Sequence, residues 1–133
     1  MSKKIAIEAT LKTFFGIKDK SRSNALVSVE SGAKTIQEAA TENGLTIDEL
    51  EQLLKRYKMV IHHIDELILA LSPALKPSIL LALKERFTDG LTFDELAEKH
   101  GGFRNNYARV VTKLEKNHQE QIEKTHLYST VFM

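Results

Sequence analysis

The sequence predicts an all-α protein built from two tandem trihelical helix-turn-helix units joined through a long helix. Three observations carry that expectation. Apolar residues recur at three-to-four spacing through most of the chain, without alternating β-rich runs between hairpin turns. Thr-x-x-Glu capping signals stand at Thr35, Thr46 and Thr92, each just ahead of a helical pattern. A small residue, a turn glycine and an apolar anchor occur twice in the same register, as Ala40, Gly44 and Leu50 and again as Ala97, Gly101 and Tyr107.

Taken in order, residues 3 to 15 suit a helix with Ile7, Leu11 and Phe14 or Phe15 on one face and Gly16 as its stop, although Lys4 to Leu11 also alternates as a strand would. A polar connector, Lys18 to Arg22, leads to a short helix with Ser23 as N-cap and its end at Gly32. Thr35 with Glu38 opens the next helix, which ends near Gly44, and Thr46 with Glu49 opens a much longer one. In that long helix Leu50, Leu54, Tyr57, Ile61, Ile64, Ile68 and Leu71 follow heptad a and d spacing, while Leu53, Val60 and Leu67 widen the stripe. Such a stripe suits an intramolecular core and a dimer seam alike.

Ser72-Pro73 interrupts the pattern, and Pro77 marks a fresh helix start, so Ser72 to Lys76 is the expected hinge between units 1–71 and 72–133. The second half then repeats the first: a helix ending at Asp89-Gly90, a capped helix from Thr92 to His100, a Gly101-Gly102 turn, and a final helix from Arg104 to about Thr125. The apolar tail Leu127 to Met133 is expected to dock on the core or on a partner.

Composition narrows the function. No cysteine is present, which excludes disulfides, thiol catalysis and Cys-based zinc sites. Neither the first residues nor the interior run Ile79 to Leu83 is long enough for a signal peptide or a membrane span, so a cytoplasmic protein is expected. With 19 basic and 18 acidic residues the net charge of +1 says nothing about a polyanionic partner, and the signal must be local. It lies in the last helix. Arg104, Asn105 and Asn106 open it, and Arg109, Lys113 and Lys116 follow, whereas the equivalent stretch of the first unit holds Ile47, Asp48, Glu49 and Glu51. Arg and Asn at the start of a recognition helix read guanine and adenine edges through bidentate hydrogen bonds. The candidate DNA contacts are therefore Thr92, Arg104, Asn105, Asn106, Arg109, Lys113 and Lys116, with the first unit left to packing or dimerisation through Leu50, Leu54, Tyr57, Ile61, Ile64 and Ile68.

No metal site is expected: His62 and His63 point about 100° apart on a helix, and His100, His118 and His126 read as surface or cap residues without a ligand cluster. No phosphate loop, zinc-protease motif or framed acid pair is present, so no enzyme, cofactor or small-molecule effector is expected.

From Ile79-Leu80-Leu81-Ala82-Leu83-Lys84 through Asp89-Gly90-Leu91-Thr92, Glu95, Glu98-Lys99 and Leu114, the second half resembles the PapB family of bacterial fimbrial-operon regulators. The segment Ala97 to Leu114 is also similar to the TrfB/KorA-type plasmid repressors. The resemblance covers about two fifths of the chain and implies a bacterial or plasmid-borne transcription regulator that binds double-stranded operator DNA as a homodimer or higher oligomer. The N-terminal half departs from both families. The competing expectation is a helical protein-interaction module that binds another regulator or RNA polymerase through the acidic first unit.

Overall fold

The computed structural model describes residues 3–121, and these fold into helices with no strand among them. The helices are α1 (Lys3–Phe15), α2 (Lys20–Glu30), α3 (Ile36–Glu42), α4 (Ile47–His62), α5 (Ile64–Leu71), α6 (Pro77–Asp89), α7 (Phe93–His100) and α8 (Arg104–Gln121). The tail from Leu127 to Met133, His126 and the expected helix end near Thr125 lie outside the described residues.

Two groups of three helices each close a small core of their own. In the first, Ala25 of α2, Ala39 and Ala40 of α3 and Leu50 of α4 close a small core. In the second, Ala82 of α6, Leu96 of α7 and Tyr107 of α8 close another, with Leu91 from the preceding turn and Ala97 against it. Laying Thr35 on Thr92 brings Ala25 onto Ala82 and Leu50 onto Tyr107, all four buried, and buried Ala40 onto half-buried Ala97. Both short helices open on a complete capping box, at Thr35 with Glu38 and at Thr92 with Glu95. At Thr46 the hydroxyl accepts from Glu49 N at 3.0 Å, the forward half of a box.

The first helix explains its own ambiguity. Ile7 and Leu11 pack with Leu26, Leu53 and Tyr57 of the first group. Ala9 and Phe14 face the main core with Leu83, Phe87, Val111 and Leu114 of the second. A helix covered on two sides carries apolar residues most of the way round, and the single stripe that would distinguish it from a strand is lost. Phe14 meets Phe87 edge-on with centroids 5.0 Å apart, and Thr10 Oγ1 donates to Phe87 O at 3.3 Å. The boundary at 71/72 therefore does not separate two cores: residues 72–76 connect α5 to α6 within one core that α1 crosses.

Two local expectations change. The connector before α2 is shorter than predicted, because Asp19 rather than Ser23 caps the helix: its carboxylate accepts from Ser21 Oγ at 2.7 Å and Arg22 N at 3.4 Å. Ser23 is buried one turn later, donating to Lys20 O. The long helix is broken at His63, whose backbone (φ −107°, ψ 22°) ends α4 and begins α5, with its Nδ1 3.3 Å from Glu66 Oε2.

That break distributes the heptad stripe among separate parts of the chain's own core. Leu50 joins the first small core, Tyr57 packs against α1 and α2, and Ile64 and Ile68 enter the main core. Leu54 and Ile61 are half-buried against Ile7, Leu11 and Leu26. The stripe expected to serve as a dimer seam thus has intramolecular partners and presents no continuous apolar face.

Candidate nucleic-acid interface

The sequence candidates converge on α7, the turn after it and α8. Helix α6 ends at Gly90 in the left-handed region (φ 74°, ψ 36°), which glycine adopts without steric cost, and the chain turns into α7. Thr92 is committed to the cap: its hydroxyl accepts from Glu95 N at 3.1 Å and its own N–H donates to Glu95 Oε1 at 2.9 Å. The backbone hydrogen bond from Thr92 holds the Glu95 carboxyl below the usual carboxylate range.

Helix α7 is clamped to the last turns of α6 at both of its own ends. The Arg86 guanidinium lies 3.9 Å from the Phe93 ring centroid and donates to Leu91 O at 3.0 Å. Lys99 Nζ and His100 Nε2 lie 2.7 and 3.1 Å from the Glu85 carboxylate oxygens, and the Lys99 hydrogen bond is the largest influence lowering the Glu85 pKa. His100 is thus an end-of-helix residue bonded across to α6.

The turn into α8 is fastened by Tyr107, whose buried ring packs on Ala82, Leu91 and Leu96 and whose hydroxyl donates to Gly101 O at 2.7 Å. Farther along, Val111, Leu114 and His118 continue the buried face. His118 departs from its expected surface position: it is 3% exposed, its ring 6.5 Å from that of Phe14, and desolvation pushes its pKa below the ordinary value. Next to it, Asn117 Nδ2 donates to Leu71 O at 2.9 Å, tying α8 to the end of α5.

With Tyr107, Val111, Leu114 and His118 turned inward, a rotation of about 100° per residue puts Asn105, Arg109, Thr112 and Lys116 on the opposite face, with Lys113 and Asn106 beside them. All six are exposed. Arg109, Lys113 and Lys116 form no ion pair among the described residues, and no carboxylate lies on this face between Asn105 and Lys116. Arg104 stands apart. It lies at the edge toward α7, with Nε 3.2 Å from Asp94 Oδ1. Thr112, which sequence reading passed over, lines a shallow depression with Asn105, Ala108 and Arg109. The spacing of residues 105, 109, 112 and 116 was the signal for it.

On α4 the positions in equivalent register hold Asp48, Glu49, Gln52, Lys55, Arg56 and Met59, of which Arg56 and Met59 are half-buried, and the first turn is acidic where α8 offers amides. No group of three or more potential metal ligands occurs among the described residues, and none of their helices is long and apolar enough to cross a membrane. Comparison with protein-family models, curated proteins and solved structures gave no match.

Proposed function

We propose that this chain is a sequence-specific DNA-binding transcription regulator of the helix-turn-helix kind, in which α8 enters the major groove. One observation carries the proposal: the exposed, acid-free face of α8 that presents Asn105, Arg109, Thr112, Lys113 and Lys116 opposite a buried stripe. Asn105 and Arg109 have the donors for bidentate base contacts, and Lys113 and Lys116 suit phosphates. The tight Tyr107 and Glu85 fastenings support a rigid presentation of that face. A bacterial or plasmid operator, bound in the cytoplasm, is the target that the resemblance to PapB-type and KorA-type regulators implies. Engagement of two half-sites needs a second copy joined through some surface other than the Leu50 to Ile68 stripe, and Leu69 and Leu81 are the large exposed apolar residues of α5 and α6.

Binding to random duplex DNA across a salt series tests the proposal, followed by selection of bound sequences from a random pool. On a random duplex, where Arg109 has no preferred base to read, neutralising phosphates with Arg109, Lys113 and Lys116 alone gives a slope of log affinity against log salt of about −3, and any further contact steepens it. Duplex affinity that ignores salt, or is absent at low salt, overturns the proposal. It would favour a protein-binding module instead, for which the acidic start of α4 and the half-exposed Ile47 beside it are the specific observation.

A further inference from the structure

Among the described residues the large apolar side chains left exposed are Ile47, Leu69, Leu81 and Phe103, and two of these lie together. Helices α5 and α6 are joined by residues 72–76 and pack side by side in opposite directions. Lys84 Nζ of α6 lies 3.4 Å from Asp65 Oδ2 of α5, which fixes their register. Leu69 is one turn from Asp65 toward the connection, and Leu81 is one turn from Lys84 the same way, so the two leucines sit at one level, 38% and 52% exposed. Exposed Pro73 and Ala74 in the connection, with Pro77 one turn before Leu81, continue the apolar surface. The main core does not use it: that core takes Ile64, Leu67, Ile68 and Leu71 from α5 and Leu83 and Phe87 from α6.

The charges around the leucines are sorted by sign. At the end away from the connection, Asp65 and Lys84 cancel one another, and Glu66 is left with His63, Nδ1 to Oε2 3.3 Å, its side chain 66% exposed. At the connection end Lys76 is exposed, with no ion-pair partner among the described residues. Glu85, the next carboxylate along α6, is taken by Lys99 and His100 of α7. Helical rise puts Glu66 about 4.5 Å and Lys76 about 7.5 Å from the leucine level, on opposite sides of it.

A surface with an apolar centre, one acidic end and one basic end is complementary to itself. A second copy turned over about a two-fold axis in the contact plane, running across the helix direction, meets each level of the pair with the opposite level. Leucines then meet leucines, and Glu66 of either protomer comes opposite Lys76 of its partner. We propose that the Leu69–Leu81 face of α5 and α6 is the docking surface for a second copy of this chain, with a Glu66–Lys76 ion pair closing each end. So small an apolar centre belongs to the low end of specific interface sizes and makes a reversible dimer of micromolar affinity. The proposal goes beyond the reading of α8 and is independent of it, because self-association is measured without DNA.

The test is sedimentation equilibrium of the whole chain and its variants from micromolar to submillimolar concentration, with folding checked by circular dichroism and thermal melting. The unmodified chain should pass from monomer to dimer across that range. Leu69→Ser/Leu81→Ser, at two exposed positions, should weaken self-association by about 100-fold and leave a monomer. Ile47→Ser removes a comparably exposed apolar side chain from α4 and should change nothing. Glu66→Lys and Lys76→Glu should each weaken the dimer about tenfold, since each sets like charges against one another at both ends. Mixing those two variants should restore it, because in the mixed dimer each lysine faces a glutamate again. A chain that stays monomeric overturns the proposal and leaves the face to the apolar tail Leu127 to Met133 or to a different protein. Association that survives Leu69→Ser/Leu81→Ser, or is lost with Ile47→Ser, overturns it in favour of another surface. Single charge variants that associate as before, or a mixture that stays apart, overturn the Glu66–Lys76 pairing on which the choice of a second copy rests.

Discussion

Arg109 and Arg104, five positions apart on one helix, should behave differently when each is replaced by alanine. Arg109 projects from the middle of the exposed face of α8 and has no ion-pair partner among the described residues. If it reads a base, Arg109→Ala removes a bidentate contact of about 1–3 kcal/mol, a fall of about 5- to 150-fold in affinity for the preferred sequence. Arg104 lies at the α7 edge, and its side chain and that of Asp94 are 61% and 75% exposed. A pair so open to water is worth about 0–1 kcal/mol to folding, so Arg104→Ala should change operator affinity by less than about fivefold. Fluorescence anisotropy at one fixed salt concentration, on the selected duplex and on single-base variants of it, measures both the loss and the position at which preference relaxes. Asn105→Ala should relax preference at a base neighbouring the one lost with Arg109. A larger loss for Arg104→Ala than for Arg109→Ala, with both variants folded, would place the reading edge against α7 and refute the assignment.

Gly90→Ala forces a side chain into the left-handed conformation that ends α6, and should lower stability by about 1–2 kcal/mol in urea denaturation; an unchanged midpoint would mean that the turn relaxes freely. Thr92→Ala removes the capping hydroxyl of α7 and should cost about 1 kcal/mol, measured the same way, with no change in which bases are preferred. His118 is buried with its pKa depressed below 6.5, so the unfolded chain takes up a proton first as pH falls. Its contribution to stability is therefore full above about pH 6.5 and declines as pH falls below that value toward the folded-state pKa. Denaturation between pH 5 and 7.5 should show this decline, and His118→Gln should flatten it; an identical pH profile in the variant would exclude His118 as its source.

Capping chemistry was legible in the sequence because it is local. Thr35 with Glu38 and Thr92 with Glu95 specify helix starts within four residues, and Gly90 specifies a stop by itself. Periodicity was legible only in part. Apolar spacing runs through Tyr107, Val111 and Leu114 on the inward face of α8, but spacing does not name the partner that covers a face, so Leu50 to Ile68 suited a second copy as readily as α1, α2 and α6. His118 was missed because its cover, Phe14, comes from the other end of the described chain. The break at His63 was also missed, since apolar spacing continues through it unchanged. At the candidate interface, the cluster Arg104 to Asn106 drew attention by residue type, whereas helical rotation carries Arg104 to the edge and brings Thr112 onto the outward face.

The position of α1 has a consequence for how the chain is made. During synthesis α1 leaves the ribosome before the other helices described, yet much of the surface that buries Ala9 and Phe14 belongs to α6 and α8, which are translated later. Thr10 must find the carbonyl of Phe87 across 77 positions of chain, a closure whose entropic cost is met only when both ends are available. Until then α2, α3 and α4 can close their alanine-lined core, while Phe14 waits in water as an adhesive site for other nascent chains. The face of α1 that carries Ile7 and Leu11 can settle on α2 and α4 early, whereas the face that carries Ala9 and Phe14 completes its cover only with the second group, so changes at Ala9 or Phe14 should reduce the yield of folded protein in the cell more than their distance from α8's outer face would imply.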